Sequence, residues 1–557
     1  MKRLFTFIAA LSLLSLACQT LANQFTPGSV STDTPVTQPT AISSLEPPAT
    51  NDTNPPSLTN IRGKLAELGG LPCENKTDFV CVKIKVPLDH FDPSNTETID
   101  VVFAVLPAKG QRFGMYVQAY PGGPGGKGIS VASTDSFSKD ILEHYDLVFF
   151  DQRGLGLSDP LECKKAYSAY FMDSLNTIDS IGQEGLDTPG EQKTAIQKAK
   201  SFVNDCVVEI GIDPAKIKFF VTDQVAEDIE SFRQAIGDDK FMLYGCSYGT
   251  SVAQTYARKH ADHLSGLIID GVQDTTQSGD QIAFSQWEGI NNVLLEVFKA
   301  CDADSQCSQG MPNGSQAAYD KLAQKLADAP ITFNYPLANG TKAKRQFTFN
   351  MLDFTVSYLM YGVDSRLALM RAIVSADAGD LSTLAQYFYI VANIDPETGQ
   401  YVGDPTFSDT LYYIVWCEDD AYYSGTPDER TAQLLNHSQP LIGLVPRLDL
   451  DVLTLGLTCP YWPGSPSSPA QLEPLKAPSV PTLVLSATLD PATPFHEAKT
   501  VYENLDNGYF IYVKGGEHVI FGRGHDCPDQ YITDFLVNGA LPPQRETICD
   551  WGNGIIK

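Results

Sequence analysis

One set of residues has the types and spacing needed to break an acyl bond. Gly245-Cys246-Ser247-Tyr248-Gly249 sets a serine in a G-x-S-x-G pattern, directly after the apolar run Phe241 to Tyr244 and before a helix-like stretch, Thr250 to His260. A strand–turn–helix elbow of this kind strains the serine backbone and exposes its hydroxyl. The glycines let strand and helix backbones come closer than a Cβ would permit. A serine nucleophile needs a base, and the base needs an acid to orient it. Asp490 follows the run Thr482 to Leu485, and His518 follows Tyr509 to Val513. The order serine, acid, histidine is that of one known triad arrangement. Both groups stand just past strand-like runs, where sites in α/β sheets lie. Ser247, Asp490 and His518 are therefore the candidate nucleophile, acid and base.

Other residues compete for these roles. His525, seven positions beyond His518, is a second candidate base, and Asp270 a second candidate acid. His496 follows Asp490 too closely and is read as structural. His260 and His263 are read as a solvated helix face. No H-E-x-x-H pattern or dense His/Asp cluster suggests a metal, and no metal is expected. Pro121-Gly-Gly-Pro-Gly-Gly126 follows a third apolar run. A loop this rich in glycine can point backbone N–H groups into a pocket, toward a developing oxyanion or a phosphate. Lys127-Gly128 breaks the G-x-x-x-x-G-K-[ST] pattern, so a nucleotide site is disfavoured and no cofactor is expected.

The elements that must position these groups are legible as apolar runs. Cys81–Val86, Val101–Leu106, Met115–Tyr120, Tyr145–Phe150, Phe241–Tyr244, Leu267–Ile269, Thr482–Leu485 and Tyr509–Val513 read as strands. The later ones are solid β-branched and aromatic runs, the pattern of parallel strands buried on both faces. Helices lie between them, such as Gln224 to Ile236 closed by Gly237. The expected fold is α/β, an eight-stranded mostly parallel sheet. A large, mainly helical cap is expected after the sixth strand, over residues 275–475, with helices such as Gln281 to Ala300 and Met351 to Ala376. The core then comprises residues 61–274 and 476–557.

The ends and the composition bound the setting. Lys2 and Arg3 before Leu4 to Leu16 read as an export signal over residues 1–22, too short to span a bilayer. Leu14-Ser15-Leu16-Ala17-Cys18 loosely resembles a lipoprotein box, so a lipid anchor at Cys18 competes with plain cleavage after Ala22. Residues 23–60 are rich in Ser, Thr and Pro and read as a disordered linker. Of 557 residues, 43% are hydrophobic and 19% charged, and the net charge is −28. That composition supports a large core, and a surface so acidic disfavours nucleic-acid binding. No other stretch reaches transmembrane length. The expected location is exported: secreted, periplasmic or cell-surface. Export permits disulfides. With Cys18 in the signal and Cys246 read as a buried free thiol, sequential pairing gives Cys73–Cys81, Cys163–Cys206, Cys301–Cys307, Cys417–Cys459 and Cys527–Cys549. Sequence alone leaves that connectivity open.

The chain resembles the tripeptidyl-aminopeptidase and prolyl-iminopeptidase relatives of the α/β-hydrolase fold. The resemblance rests on Val86-Pro-Leu-Asp89, Pro121 to Gly126, Asp151-Gln-Arg-Gly154, Asp228 to Arg233, Gly245 to Thr250, Leu489 to Pro494 and Gly516-Glu-His518, with a similar C-terminal region through Cys527 and Cys549. It implies a serine exopeptidase acting on peptides, with the backbone N–H groups of Gly123 and Tyr248 as oxyanion hole. Cys246 and Lys127 depart from the family pattern. An aminopeptidase needs a partner for the substrate's α-ammonium group, and Glu418 and Asp419, beside Trp416 and Cys417, are the candidates. The alternatives are a carboxylesterase-type hydrolase using the same triad, and a catalytically idle binding protein of the same fold.

Overall fold

The computed structural model describes residues 60–119, 122–176, 189–419, 423–442, 445, 447–448, 455–466, 473–552 and 554–556. The signal segment, nearly all of the expected linker and the lipid-anchor reading at Cys18 lie outside the described residues.

Ten strands form one sheet: β1 (Leu71–Cys73), β2 (Lys76–Pro87), β3 (Thr98–Leu106), β4 (Gly114–Ala119), β5 (Tyr145–Asp151), β6 (Phe241–Cys246), β7 (Leu264–Asp270), β8 (Thr482–Ala487), β9 (Gly508–Val513) and β10 (Glu546–Cys549). Their order is β1-β2-β3-β5-β4-β6-β7-β8-β9-β10. The pairs β1/β2, β2/β3 and β3/β5 are antiparallel, and every pair from β5/β4 onward is parallel. All eight expected runs lie in this sheet. The expectation of eight strands is corrected to ten, because the edge strands β1 and β10 are too short and too exposed to stand out as apolar runs. Each carries a cysteine that ties it down, Cys73 to Cys81 and Cys549 to Cys527. The central strands β4, β5, β6 and β8 are buried at every residue, as a sheet covered on both faces requires.

Between β7 and β8 the chain leaves the sheet and builds the cap. Gly279–Ala303 and Asp409–Glu418 are among its helices, and two small hairpins, Ile331–Pro336 with Lys342–Phe347 and Ile394–Asp395 with Gln400–Tyr401, interrupt the helical pattern. The single helix expected over Met351 to Ala376 is two, Phe349–Leu359 and Val363–Asp377, parted at Gly362 in extended backbone. The cover also has a second piece that the sequence reading did not assign to it. Lys164–Asn176, after β5, packs on Phe349–Leu359 and on Asp409–Glu418, and Cys163–Cys206 closes this excursion.

The five sequential disulfides all form. The free-thiol expectation for Cys246 is corrected: it is buried and disulfide-bonded, and no free cysteine is found among the described residues. The expectation came from setting Cys18 aside, which leaves an odd count among twelve cysteines.

Candidate active site

Ser247 occupies the turn between β6 and the helix Tyr248–His260, at φ 55° and ψ −130°. Non-glycine residues rarely adopt a positive φ, so the surrounding packing must enforce it. A Cβ on Gly245 would stand 2.3 Å from the Gly249 carbonyl oxygen, which is why that position tolerates only glycine. The Ser247 amide donates to the Asp270 carbonyl (3.0 Å), and Thr250 donates back to the Ser247 carbonyl through N–H and hydroxyl (2.9 and 2.7 Å). The elbow is thus fixed on both sides.

β8 and β9 run in parallel register, Thr482 beside Gly508 through Ala487 beside Val513. The loops leaving them carry Asp490 and His518. His518 Nδ1 lies 2.9 Å from both Asp490 carboxylate oxygens. Asp490 also accepts from the amides of Ala492 and Thr493 (2.9 Å each) and from the Thr493 hydroxyl (3.1 Å), which fixes its plane. With Nδ1–H donated to the carboxylate, Nε2 is the ring's acceptor. That atom is buried and has no hydrogen-bond partner among the described residues. A Cβ on Gly271 (φ +63°) would stand 2.9 Å from His518 Cε1, so the imidazole occupies space that only glycine leaves open.

Ser247 and His518 line one cavity of about 290 Å³, together with Gly122, Gly123, Tyr248 and Thr493. The cap supplies most of the remaining wall, including Tyr358, Tyr361, Tyr412, Tyr413 and Trp416, while Tyr167 and Phe171 come from the second cover piece. The glycine loop explains itself here. Cap residues 405–408 lie against it: Lys127 N–H donates to the Thr406 carbonyl (2.7 Å), Lys127 Nζ to the Pro405 carbonyl (3.0 Å), and Ser408 N–H to the Gly125 carbonyl (2.8 Å). A Cβ on Gly123 would stand 2.9 Å from the Phe407 ring, and one on Gly125 2.6 Å from the Ser408 carbonyl oxygen.

An α/β-hydrolase-fold family model matches residues 120–307, which hold the glycine loop and Ser247. A TAP-like protein model matches residues 449–549, which hold Asp490 and His518. The chain thus has the α/β-hydrolase fold, and its C-terminal part is similar to TAP-like proteins. Among the proteins similar to this chain is serine protease Hip1 of Mycobacterium tuberculosis, 27% identical over 474 residues that cover 83% of this chain and 86% of that protein. Carboxylesterase B of the same organism is 29% identical over 483 residues, 83% of this chain and 85% of that one. Tripeptidyl aminopeptidase of Streptomyces coelicolor is 22% identical over 493 residues, 84% and 82% respectively.

The competing candidates of the hydrolase lie elsewhere. His525 stacks on Trp551, with ring centroids 3.5 Å apart. His496 Nε2 meets Ser285 Oγ at 3.2 Å. Asp270 is fully buried and accepts from the amides of Ile520 and Phe521 just past His518, so it holds the base's loop and not its ring. Burial pushes its carboxyl up to about 6 against those hydrogen bonds. His260 and His263 gather with Glu230. Burial would raise the Glu230 carboxyl, but hydrogen bonds from Arg233, Gln234 and Tyr256 take both oxygens and hold it near 2.

Neither Glu418 nor Asp419, the candidate partners for an α-ammonium group, lines the cavity that holds Ser247, and that expectation is corrected. The Glu418 carboxylate is buried and accepts from Gly464 N–H (3.0 Å), and burial lifts it to about 7. Asp419 accepts from Thr222 N–H and hydroxyl (2.8 and 2.6 Å), so the Tyr248 phenol, 2.6 Å away, donates to Thr222 Oγ1. Asp419 therefore anchors the residue after the serine. Local contacts account for the difference: Glu418 and Asp419 stand at the end of a ten-residue helix and are taken up by Gly464 and Thr222, while the earlier aromatics Tyr412, Tyr413 and Trp416 line the cavity. The sequence reading also missed Tyr361, whose carbonyl accepts from His518 N–H (3.2 Å) and whose ring meets the imidazole edge-on. It missed the two cavity acids Asp404 and Asp409 as well. Acids just before Phe407 and after Ser408 carried no motif that could have marked them.

Proposed function

We propose that this serine hydrolase is an exported aminopeptidase that releases N-terminal residues or short peptides through an acyl-enzyme. In this reading Ser247 Oγ attacks the substrate carbonyl while His518 Nε2 takes its proton. Asp490 holds the imidazole tautomer and stabilises the imidazolium that forms. The backbone N–H groups of Gly123 and Tyr248 receive the oxyanion. His518 then gives its proton to the leaving amine, the acyl–Ser247 ester forms, and a water deprotonated by His518 releases the product.

The single observation that carries the reading is the Asp490–His518 pair, with a buried, unpartnered Nε2 opening on the same cavity as the strained Ser247. Among the described residues no hydrogen bond joins Ser247 Oγ to His518 Nε2, and the reading has that contact form as the substrate reacts. Cover from the cap and from Lys164–Asn176 supports an exopeptidase, because a roofed cavity accepts a chain end more readily than a chain middle. The disulfides support export. The aromatic walls and the similarity to a carboxylesterase favour a second reading, an esterase using the same three residues.

The test is a panel of aminoacyl, tripeptidyl and acyl-ester chromogenic substrates, each with free and blocked amino ends. The aminopeptidase reading expects turnover of free-amino peptides, lowered by several powers of ten in Ser247→Ala. Exclusive turnover of blocked or simple acyl esters would favour the esterase.

A further inference from the structure

We infer that Asp404 and Asp409 form the site that receives the free α-ammonium group of the substrate. The inference rests on the aminopeptidase reading and gives it a location.

Asp404 is 8% exposed and lines the cavity. Its Oδ1 is committed to Thr406, accepting from N–H (2.7 Å) and hydroxyl (2.6 Å). Its Oδ2 is buried and has no hydrogen-bond partner among the described residues. Asp409 lines the same cavity and accepts from the Tyr401 phenol. Neither carboxylate pairs with a described Lys, Arg or His. Burial, and then the charge of Asp404, push Asp409 up to about 6. Two neighbouring carboxylates without a cation, one buried and one half-buried, are costly to maintain. A ligand that brings a cation removes the cost.

The chemistry of the walls selects the kind of cation. Tyr167, Phe171, Tyr401, Tyr412, Tyr413 and Trp416 line the same cavity. Aromatic faces attract an organic ammonium, and an –NH₃⁺ group carries three donors, enough for the orphan Asp404 Oδ2, an Asp409 oxygen and one further acceptor. An apolar acyl group would leave Asp404 Oδ2 unpaired.

Position fits as well. Phe407 lies against Gly123 in the glycine loop beside Ser247. Asp404 and Asp409 are three and two residues from Phe407, so each backbone is within about 11 Å of it. An ammonium bound there sits a short peptide's length from the serine.

Two measurements test this. The first is the ratio of kcat/KM for an alanyl tripeptide chromogenic substrate to that for its N-acetyl counterpart, in the parent chain, Asp404→Asn and Asp409→Asn. Removing one partner of a desolvated charge pair should lower the ratio ~30-fold or more. Equal losses on both substrates in both variants would overturn the site. The second needs no turnover: calorimetric binding of alanine tripeptide amide and of its N-acetyl form to Ser247→Ala, with and without Asp404→Asn or Asp409→Asn. The free-amino ligand should bind more tightly, and the acid variants should erase that preference. An undiminished preference, or none to begin with, would overturn the inference. If Ser247→Ala still hydrolyses substrate, the nucleophile assignment fails, but the binding comparison still decides the acid pair.

Discussion

Arg153 is fully buried, and its guanidinium grips Asp228 through Nε and Nη2 (2.8 and 2.6 Å) while also donating to the carbonyls of Pro87, Leu88 and Phe219. Asp228 also meets His90 Nε2 at 2.9 Å. Three of the motifs behind the family resemblance therefore converge on one buried network whose residues do not line the cavity. Their work is to fix the loop after β5 and the helix Thr222–Ile236. Arg153→Met leaves Asp228 buried without its fork, and the expected loss is ~3–5 kcal/mol of stability in urea unfolding. A residue can be easy to read and still structural, and a residue without any motif can be functional. Gly271 belongs to the second class. Gly271→Ala would press on His518 and hold alanine at a positive φ. Because misplacing a catalytic group by about 1 Å can cost ~100-fold, a kcat loss of that order is expected with only about 1–2 kcal/mol of destabilisation.

Arg366 shows how one element positions two others. It lies on Val363–Asp377 in the cap and is fully buried. It donates to the Leu489 carbonyl in the acid's loop (3.0 Å), to the Gly516 carbonyl in the base's loop (2.8 Å) and to Met360 on its own side (2.9 Å). No carboxylate pairs with it among the described residues, and burial lowers it to about 10. A cap residue thus ties together the loops of Asp490 and His518. Arg366→Lys keeps the charge but loses the planar fork. The expected outcome is a kcat reduced ~10-fold or more, KM little changed, and a displaced acidic limb of the pH–rate profile, as misaligned acid and base require. A merely structural role would lower stability and leave that limb in place. At this scale the sequence was legible where periodicity carries the signal. The eight long strands, the elbow and the loops of Asp490 and His518 follow from apolar runs and their ends. The edge strands β1 and β10 were not legible, because three and four half-exposed residues make no pattern. The Lys164–Asn176 cover was not legible as cover, because its role depends on contacts with residues some two hundred positions away.

Across the whole molecule, buried carboxyls make stability pH-dependent. Glu497 sits where the core meets the cap, accepting from Ser285 of Gly279–Ala303 and from Asp274 N–H (3.1 Å), and burial pushes it from 4.5 to about 8. The folded chain holds this proton more tightly than the unfolded one. Below about pH 4.5 both states are protonated and the group contributes no difference. Between pH 4.5 and 8 the unfolded state releases its proton first, so stability falls as pH rises, by about 1.4 kcal/mol per unit at most. Glu497→Gln should flatten the slope of unfolding free energy against pH in that window. An unchanged slope would remove Glu497 from the account. The disulfides act at the same scale: Cys163–Cys206 and Cys417–Cys459 close loops of 43 and 42 residues. Each is expected to contribute about 2–4 kcal/mol, read as a lower Tm after reduction.

The claim that Ser247 is the nucleophile, activated by His518 and Asp490, is tested most directly by covalent capture. The protein is treated with a fluorophosphonate, and the modified peptide is identified by mass spectrometry in the parent chain and in His518→Ala. The account expects stoichiometric modification of Ser247, parallel loss of hydrolysis, and labelling slowed by orders of magnitude in His518→Ala. Modification at another serine, or full hydrolysis after Ser247 is blocked, would contradict it.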